Sequence, residues 1–117
     1  FVRRTGEIRQ YVSVYDRAWH AGISSFEGRS GCNDFSVGIE LEGTGETVFE
    51  EAQYRSLADL LAKLTGLLPI EAVTGHEHVA PGRKQDPGPC FDWKRVSRMV
   101  PSRVRIVTEA QRMPERA

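Results

Sequence analysis

His76-Glu77-His78-Val79-Ala80-Pro81-Gly82-Arg83-Lys84-Gln85-Asp86-Pro87-Gly88-Pro89 gathers two imidazoles, a lysine, an arginine and an aspartate into one short segment. Proline has no amide N–H and glycine reaches backbone angles that other residues avoid, so the stretch predicts a rigid irregular loop rather than a helix or strand. Such a loop holds side chains at fixed angles without a backbone ladder. Imidazole nitrogen and carboxylate oxygen are ordinary zinc ligands, and a catalytic zinc takes three protein ligands and keeps one position open for water. His76 and Asp86 could supply two of the three. The same residues also suit a surface loop closed by a Lys84–Asp86 salt bridge.

Just before this loop, Val73-Thr74-Gly75-His76 reads as a short final strand that delivers His76. After it, Trp93 to Val100 has the pattern of one short helix. Further upstream, Phe35-Ser36-Val37-Gly38-Ile39-Glu40-Leu41-Glu42 alternates as a strand does. Val37, Ile39 and Leu41 share one face, and Ser36, Gly38, Glu40 and Glu42 the other. The apolar face suits a covering helix, which leaves Glu40 and Glu42 aimed at an open face. Two carboxylates there either keep a sheet soluble or line a cleft. Gly38 leaves space for substrate or metal beside them.

The covering helix is legible between these segments. Thr47-Val48-Phe49-Glu50 has capping-box spacing. Tyr54, Leu57, Leu60, Leu61, Leu64 and Leu68 then trace an apolar stripe at helical spacing, stopped by Gly66 or Pro69. Phe1–Arg4 and Ile8–Val12 read as two strands joined at Thr5-Gly6. Trp19 and His20 read first as packed core residues, with a place in a substrate groove as the alternative. Ser24 to Asn33 is polar and glycine-containing and reads as a loop.

Sixteen basic and sixteen acidic residues cancel over 117 positions, so no global field draws in nucleic acid or an anionic membrane. No apolar run approaches ~20 residues, which excludes a transmembrane helix. The N-terminus lacks a charged region followed by an apolar core. Cys32 and Cys90 read as free thiols of a reducing compartment rather than as a disulfide, which favours the cytoplasm.

Four blocks of this chain carry a resemblance. Gly75-His76, Ala80-Pro81-Gly82-Arg83-Lys84, Asp86-Pro87-Gly88-Pro89 and Phe91-Asp92-Trp93 closely resemble the C-terminal signature of the N-acetylmuramoyl-L-alanine amidases. Val2-Arg3-Arg4-Thr5-Gly6-Glu7-Ile8, Arg17-Ala18-Trp19-His20-Ala21-Gly22 and the run from Cys32-Asn33-Asp34 to Glu42-Gly43-Thr44 resemble that family too, in its order. The resemblance spans roughly residues 1–95. It is narrowest toward the cytoplasmic branch acting on 1,6-anhydro-muropeptides.

The resemblance implies an α/β fold with a central mixed β-sheet flanked by helices, as in the peptidoglycan-recognition amidases, over residues 1–100. The charged tail 101–117 is not covered and is expected to be partly disordered. The implied cofactor is Zn2+, held by His76, Asp86 and a third ligand, a histidine upstream of Phe1 on a strand that, with a helix, precedes this point in the family. The implied reaction is hydrolysis of the amide between (1,6-anhydro-)N-acetylmuramic acid and L-alanine of the stem peptide, during peptidoglycan recycling. Glu40 occupies the position of the catalytic glutamate and would carry the proton. Lys84 would stabilise the developing oxyanion. Arg83, Asn33 and Trp19 are candidate substrate contacts. The expected partner is a small muropeptide bound by a monomer, without nucleic acid or membrane. His78, where the family often has an acid, has no expected role. Two other readings share the resemblance: a non-catalytic muropeptide-binding module, and an exported amidase acting on polymeric wall.

Overall fold

The computed structural model describes residues 1–113. Its elements in chain order are β1 (Ser25–Phe26), β2 (Arg29–Ser30), a 3-10 turn (Cys32–Asp34), α1 (Glu51–Leu67), β3 (Ala72–Thr74), α2 (His76–Val79), α3 (Trp93–Val96) and β4 (Arg105–Val107). Strand and helix are mixed along the chain, as the resemblance implies. Pairing is mixed as well: β1 and β2 are antiparallel, β3 and β4 parallel. Val2 bridges Ile8 antiparallel and Leu41 parallel.

The long helix is where the leucine stripe places it. It begins at Glu51 and not near Thr47, because Glu50 and Gln53 make the cap: the Glu50 N–H donates to Gln53 Oε1 at 2.9 Å. Tyr54, Leu57 and Leu61 are buried on one face, where they meet Phe49, Phe91 and Val96 in the main core. Ile39, Leu41, Val73 and Ile106 pack against that cluster. Aromatic side chains join α1 and the residue before its cap to the 91–93 segment. Phe91 stands edge-on to Phe49 and to Trp93, with centroids 5.7 and 4.9 Å apart, the edge-to-face arrangement that ring quadrupoles favour. The helix stops where Leu68 turns extended ahead of Pro69, a restriction proline imposes on its predecessor.

Gln53 fastens this helix to the N-terminal strand segment. Its side chain is 1% exposed, yet every polar atom is used. Its Nε2 donates to the Glu42 carbonyl at 2.9 Å and the Val2 carbonyl at 3.4 Å, while Oε1 takes the Glu50 N–H. A buried amide is tolerated only when it is satisfied in this way.

Several local expectations need correction. The predicted Phe35–Glu42 strand ladders only at Leu41, through the Val2 N–H to Glu40 carbonyl and Glu42 N–H to Val2 carbonyl bonds, at 2.8 and 2.9 Å. The N-terminal hairpin is shorter than predicted: its arms pair through Arg3–Glu7 and Phe1–Arg9, and Tyr11 lies exposed. The predicted loop from Ser24 contains the β1–β2 hairpin, turned by Glu27 and Gly28 at φ 49° and 85°, angles that match the twist of two-residue hairpins. The expected helix from Trp93 closes after one turn at Val96.

The largest difference lies after Pro101. Far from lying outside the fold, this segment supplies β4, with Ala72, Val73 and Thr74 opposite Arg105, Ile106 and Val107, and it buries Val104. The charged composition of the segment does not advertise this docking. The remainder of the expected tail, residues 114–117, lies outside the described residues. Among the described residues no helix is long and apolar enough to cross a membrane. Cys32 and Cys90 are free thiols, the first buried.

Candidate metal centre

β3 runs directly into α2, so His76 stands at the first position of a one-turn helix rather than in an irregular loop. The segment was expected to be irregular because of its prolines and glycines, but these begin only at Pro81, after the helical turn has closed. The chain then reverses through turns, and the Glu77 N–H donates to the Asp86 carbonyl at 2.9 Å. That bond returns Asp86 to the start of α2, and His76 Nδ1 meets Asp86 Oδ2 at 2.6 Å.

Glu40 arrives from the 35–42 segment, its Oε1 3.4 Å from His76 Nδ1. Donor atoms of Glu40, His76 and Asp86 all lie within 4.8 Å of one another. The imidazole is sheltered, at 9% side-chain exposure, whereas the carboxylates of Glu40 and Asp86 are about half exposed, at 52% and 48%. The Asp86 hydrogen bond raises the His76 pKa above its ordinary 6.5, outweighing burial and the nearby Lys84 charge. The same bond holds Asp86 below its ordinary 3.8.

The donor set fits a zinc ion. Two ligands about 2.0–2.2 Å from a tetrahedral zinc stand about 3.3–3.5 Å apart. Glu40 Oε1 already has that separation from His76 Nδ1. Asp86 sits closer, at hydrogen-bond distance, and would have to withdraw by less than about 1 Å for both to face one ion. Grouping Glu40 with His76 and Asp86 extends the sequence expectation, which gave Glu40 the proton and not the metal.

The other expected site residues divide. Lys84 is half-buried and close enough for its charge to act on both His76 and Asp86. It forms no ion pair with Asp86 within 4.0 Å, so the alternative of a loop closed by that salt bridge is not what this structure contains. Arg83 turns away from the centre and donates to the backbone carbonyls of Ala21 and Ile23, which makes it a brace for the 21–23 loop. Asn33 is buried, with Oδ1 accepting the Ala21 N–H at 2.8 Å. Trp19 is neither core nor buried: it is 79% exposed, beside the Arg17 guanidinium.

Two histidines gain roles that the sequence left open. His78 is buried, its Nδ1 accepts the Gly75 N–H at 3.0 Å, and its ring lies 5.4 Å from Trp93. It therefore supports α2 from within. His20 forms the wall beside His76, its ring centroid 5.8 Å from that of His76 and its Nε2 3.0 Å from Ser36 Oγ. Burial lowers the His20 pKa, and the His76 charge adds to this. The space left by Gly38 is taken by His20: a Cβ there would lie 2.6 Å from its ring. It is not a vacancy for substrate or metal, as the sequence suggested. The alternation around Gly38 shows that a small residue is needed, but the neighbour that needs it comes from a distant loop.

His20, Ser36, Gly38, His76 and Asp86 line one cleft of about 930 Å³. An imidazole and a carboxylate on the wall of this cleft, with the Glu40 carboxylate within 4.8 Å of both, make a candidate metal centre in an α/β domain. The chain belongs to the N-acetylmuramoyl-L-alanine amidase family, whose sequence model matches residues 1–89. It is 52% identical over 101 residues to the 1,6-anhydro-N-acetylmuramyl-L-alanine amidase AmpD of Enterobacter cloacae, covering 85% of this chain and 54% of that protein. The chain thus spans about half the length of the curated relatives it matches. Its fold superposes on the crystal structure of a selenomethionine AmpD derivative with a TM-score of 0.78 at 53% identity, covering 84% of this chain and 56% of the other. It also superposes on AmpDH3 from Pseudomonas aeruginosa in complex with anhydromuramic pentapeptide, with a TM-score of 0.66 at 34% identity over 75% and 39% of the two chains.

Proposed function

We propose that the protein carrying this chain hydrolyses the amide between 1,6-anhydro-N-acetylmuramic acid and L-alanine of the stem peptide, in peptidoglycan recycling. The observation that carries this reading is the convergence of Glu40, His76 and Asp86 within 4.8 Å of one another, the last two lining the cleft, in a member of the amidase family. The similarity to AmpD, and to a structure described with an anhydromuramic pentapeptide, supports the substrate.

His76 and Asp86 would hold zinc, with a histidine N-terminal to Phe1 as the third ligand, as the resemblance implies. When bound, zinc supplies Lewis acidity that favours ionisation of water and polarises a carbonyl. Glu40, half exposed beside His76, takes the proton of the attacking water on a carboxylate oxygen and returns it to the leaving alanine nitrogen. Lys84 brings a positive charge to the side of the oxygen that becomes negative. The Glu77–Asp86 backbone bond keeps Asp86 beside His76 while this happens. The free thiols of Cys32 and Cys90 support a reducing compartment, the cytoplasm, and we take the protein to act as a monomer.

The test is release of L-alanyl peptide from 1,6-anhydro-muropeptide by the full-length protein. Activity lost on chelation and restored by zinc is the expected result. Tight muropeptide binding without cleavage, in zinc-loaded protein, would replace the enzyme by a binding module.

A further inference from the structure

We infer that Arg29 on β2 is a substrate-binding residue that pairs with a carboxylate of the peptide part of the substrate. Arg29 lines the same cleft as His76 and Asp86. Its guanidinium lies over the Phe35 ring, 4.0 Å from the centroid, and the residue is exposed. A guanidinium stacked on an aromatic ring is fixed in plane, with its N–H edge left free for a planar anion.

The acids nearest to it in the chain are engaged elsewhere. Glu27, at the tip of the same hairpin, gives both carboxylate oxygens to Arg105, at 2.6 and 2.7 Å. Asp34 pairs with Arg17 at 3.0 Å. Among the described residues, no carboxylate comes within 4.0 Å of Arg29. The hairpin is thus pinned by the ion pair of one residue while the cation of the other faces the cleft unneutralised. A bidentate guanidinium–carboxylate pair is among the stronger and more directional contacts a side chain makes. A stem peptide carries such a group at its C-terminus, which suits it to an arginine on the cleft wall.

This inference rests on the muropeptide reading above, and the experiment separates the two. Full-length protein and its Arg29→Ala and Arg29→Lys variants are assayed on an anhydro-muropeptide with free carboxylates and on the same compound with its peptide carboxylates amidated. For Arg29→Ala, KM on the free acid is expected to rise about tenfold or more with kcat little changed, the scale of one charge-assisted contact. On the amidated compound, wild type and Arg29→Ala should have the same KM. Arg29→Lys should fall between, because it keeps the charge and loses the fork. Equal KM values for wild type and Arg29→Ala on the free acid would overturn the assignment and leave the amidase reading standing. So would an equal rise on both compounds, which points to a structural role in the hairpin. A wild-type protein that cleaves neither compound overturns both.

Discussion

His76 Nδ1 and Asp86 Oδ2 stand 2.6 Å apart across ten residues of chain, closed by a backbone bond from Glu77 to Asp86. These two atoms share a hydrogen bond, and they are the donors that would hold a metal ion in its stead. Both side chains must therefore be present for tight zinc, since removing either leaves too few donors to compete with water. In the full-length protein, His76→Ala and Asp86→Ala are each expected to lose zinc, measured by elemental analysis after dialysis. Near-stoichiometric zinc in both variants would end this assignment.

Glu40 lies in the same cluster but is more exposed than His76, and the two roles open to it separate experimentally. As a proton carrier, Glu40→Gln should keep zinc and lose about 10²-fold or more in turnover. Zinc content and kcat are measured on the same sample. Loss of zinc with activity would make Glu40 a ligand, and unchanged turnover would return it to the solvated face.

How much of this was legible in the residues depends on the range of the interaction. The helix from Glu51 was readable because the leucine spacing is local and its burial follows from it. His76 and Asp86 could be singled out together because only a ten-residue segment joins them. Glu40 could be placed by alternation, though the alternation predicts a laddered strand and only Leu41 pairs. β4 was missed because its charged surroundings masked Val104-Arg105-Ile106-Val107, a β-branched run that is a strand signal. Arg83 acts on carbonyls sixty residues away, and Asn33 and Arg29 on partners set by loop and hairpin geometry rather than by a periodic spacing, so periodicity carries no trace of these contacts.

Gly38 is required by His20. An alanine Cβ at this position would come within 2.6 Å of the ring and 3.0 Å of the His20 Cβ, so rotating the imidazole alone does not clear the contact. Gly38→Ala is expected to destabilise the protein by about 1–3 kcal/mol, as overpacking does, and to displace His20 from Ser36. Denaturant unfolding gives the first, and the imidazole resonances of His20 report the second. An unchanged His20 spectrum at wild-type stability would contradict the packing described.

Gln53 offers a test of the fold with no bearing on the metal. Gln53→Leu keeps the volume but leaves the Glu42 carbonyl and the Glu50 N–H without their side-chain partner. Unsatisfied buried groups cost about 1–3 kcal/mol, and that is the expected loss in unfolding free energy. A variant as stable as wild type would mean that these groups find other partners.

The Glu27–Arg105 pair should make the docking of β4 sensitive to acid. The hydrogen bond from Arg105, with its charge adding a smaller part, holds Glu27 below its ordinary 4.5 despite opposing desolvation. A carboxyl whose pKa is lowered by folding stabilises the folded state above its unfolded value, and that contribution is lost as pH falls through the folded value. The pair lies at the surface, so the effect is local fraying rather than global unfolding. It is read from amide exchange protection of Glu27, whose N–H bonds Gln111 Oε1 at 2.7 Å, and of the β3–β4 ladder, each corrected for intrinsic rates from about pH 6 to about pH 3. Wild-type protection should drop below pH 4.5, while Arg105→Ala should start low and change little over the same range. Identical curves for the two proteins would show that this ion pair does not hold the hairpin to β4.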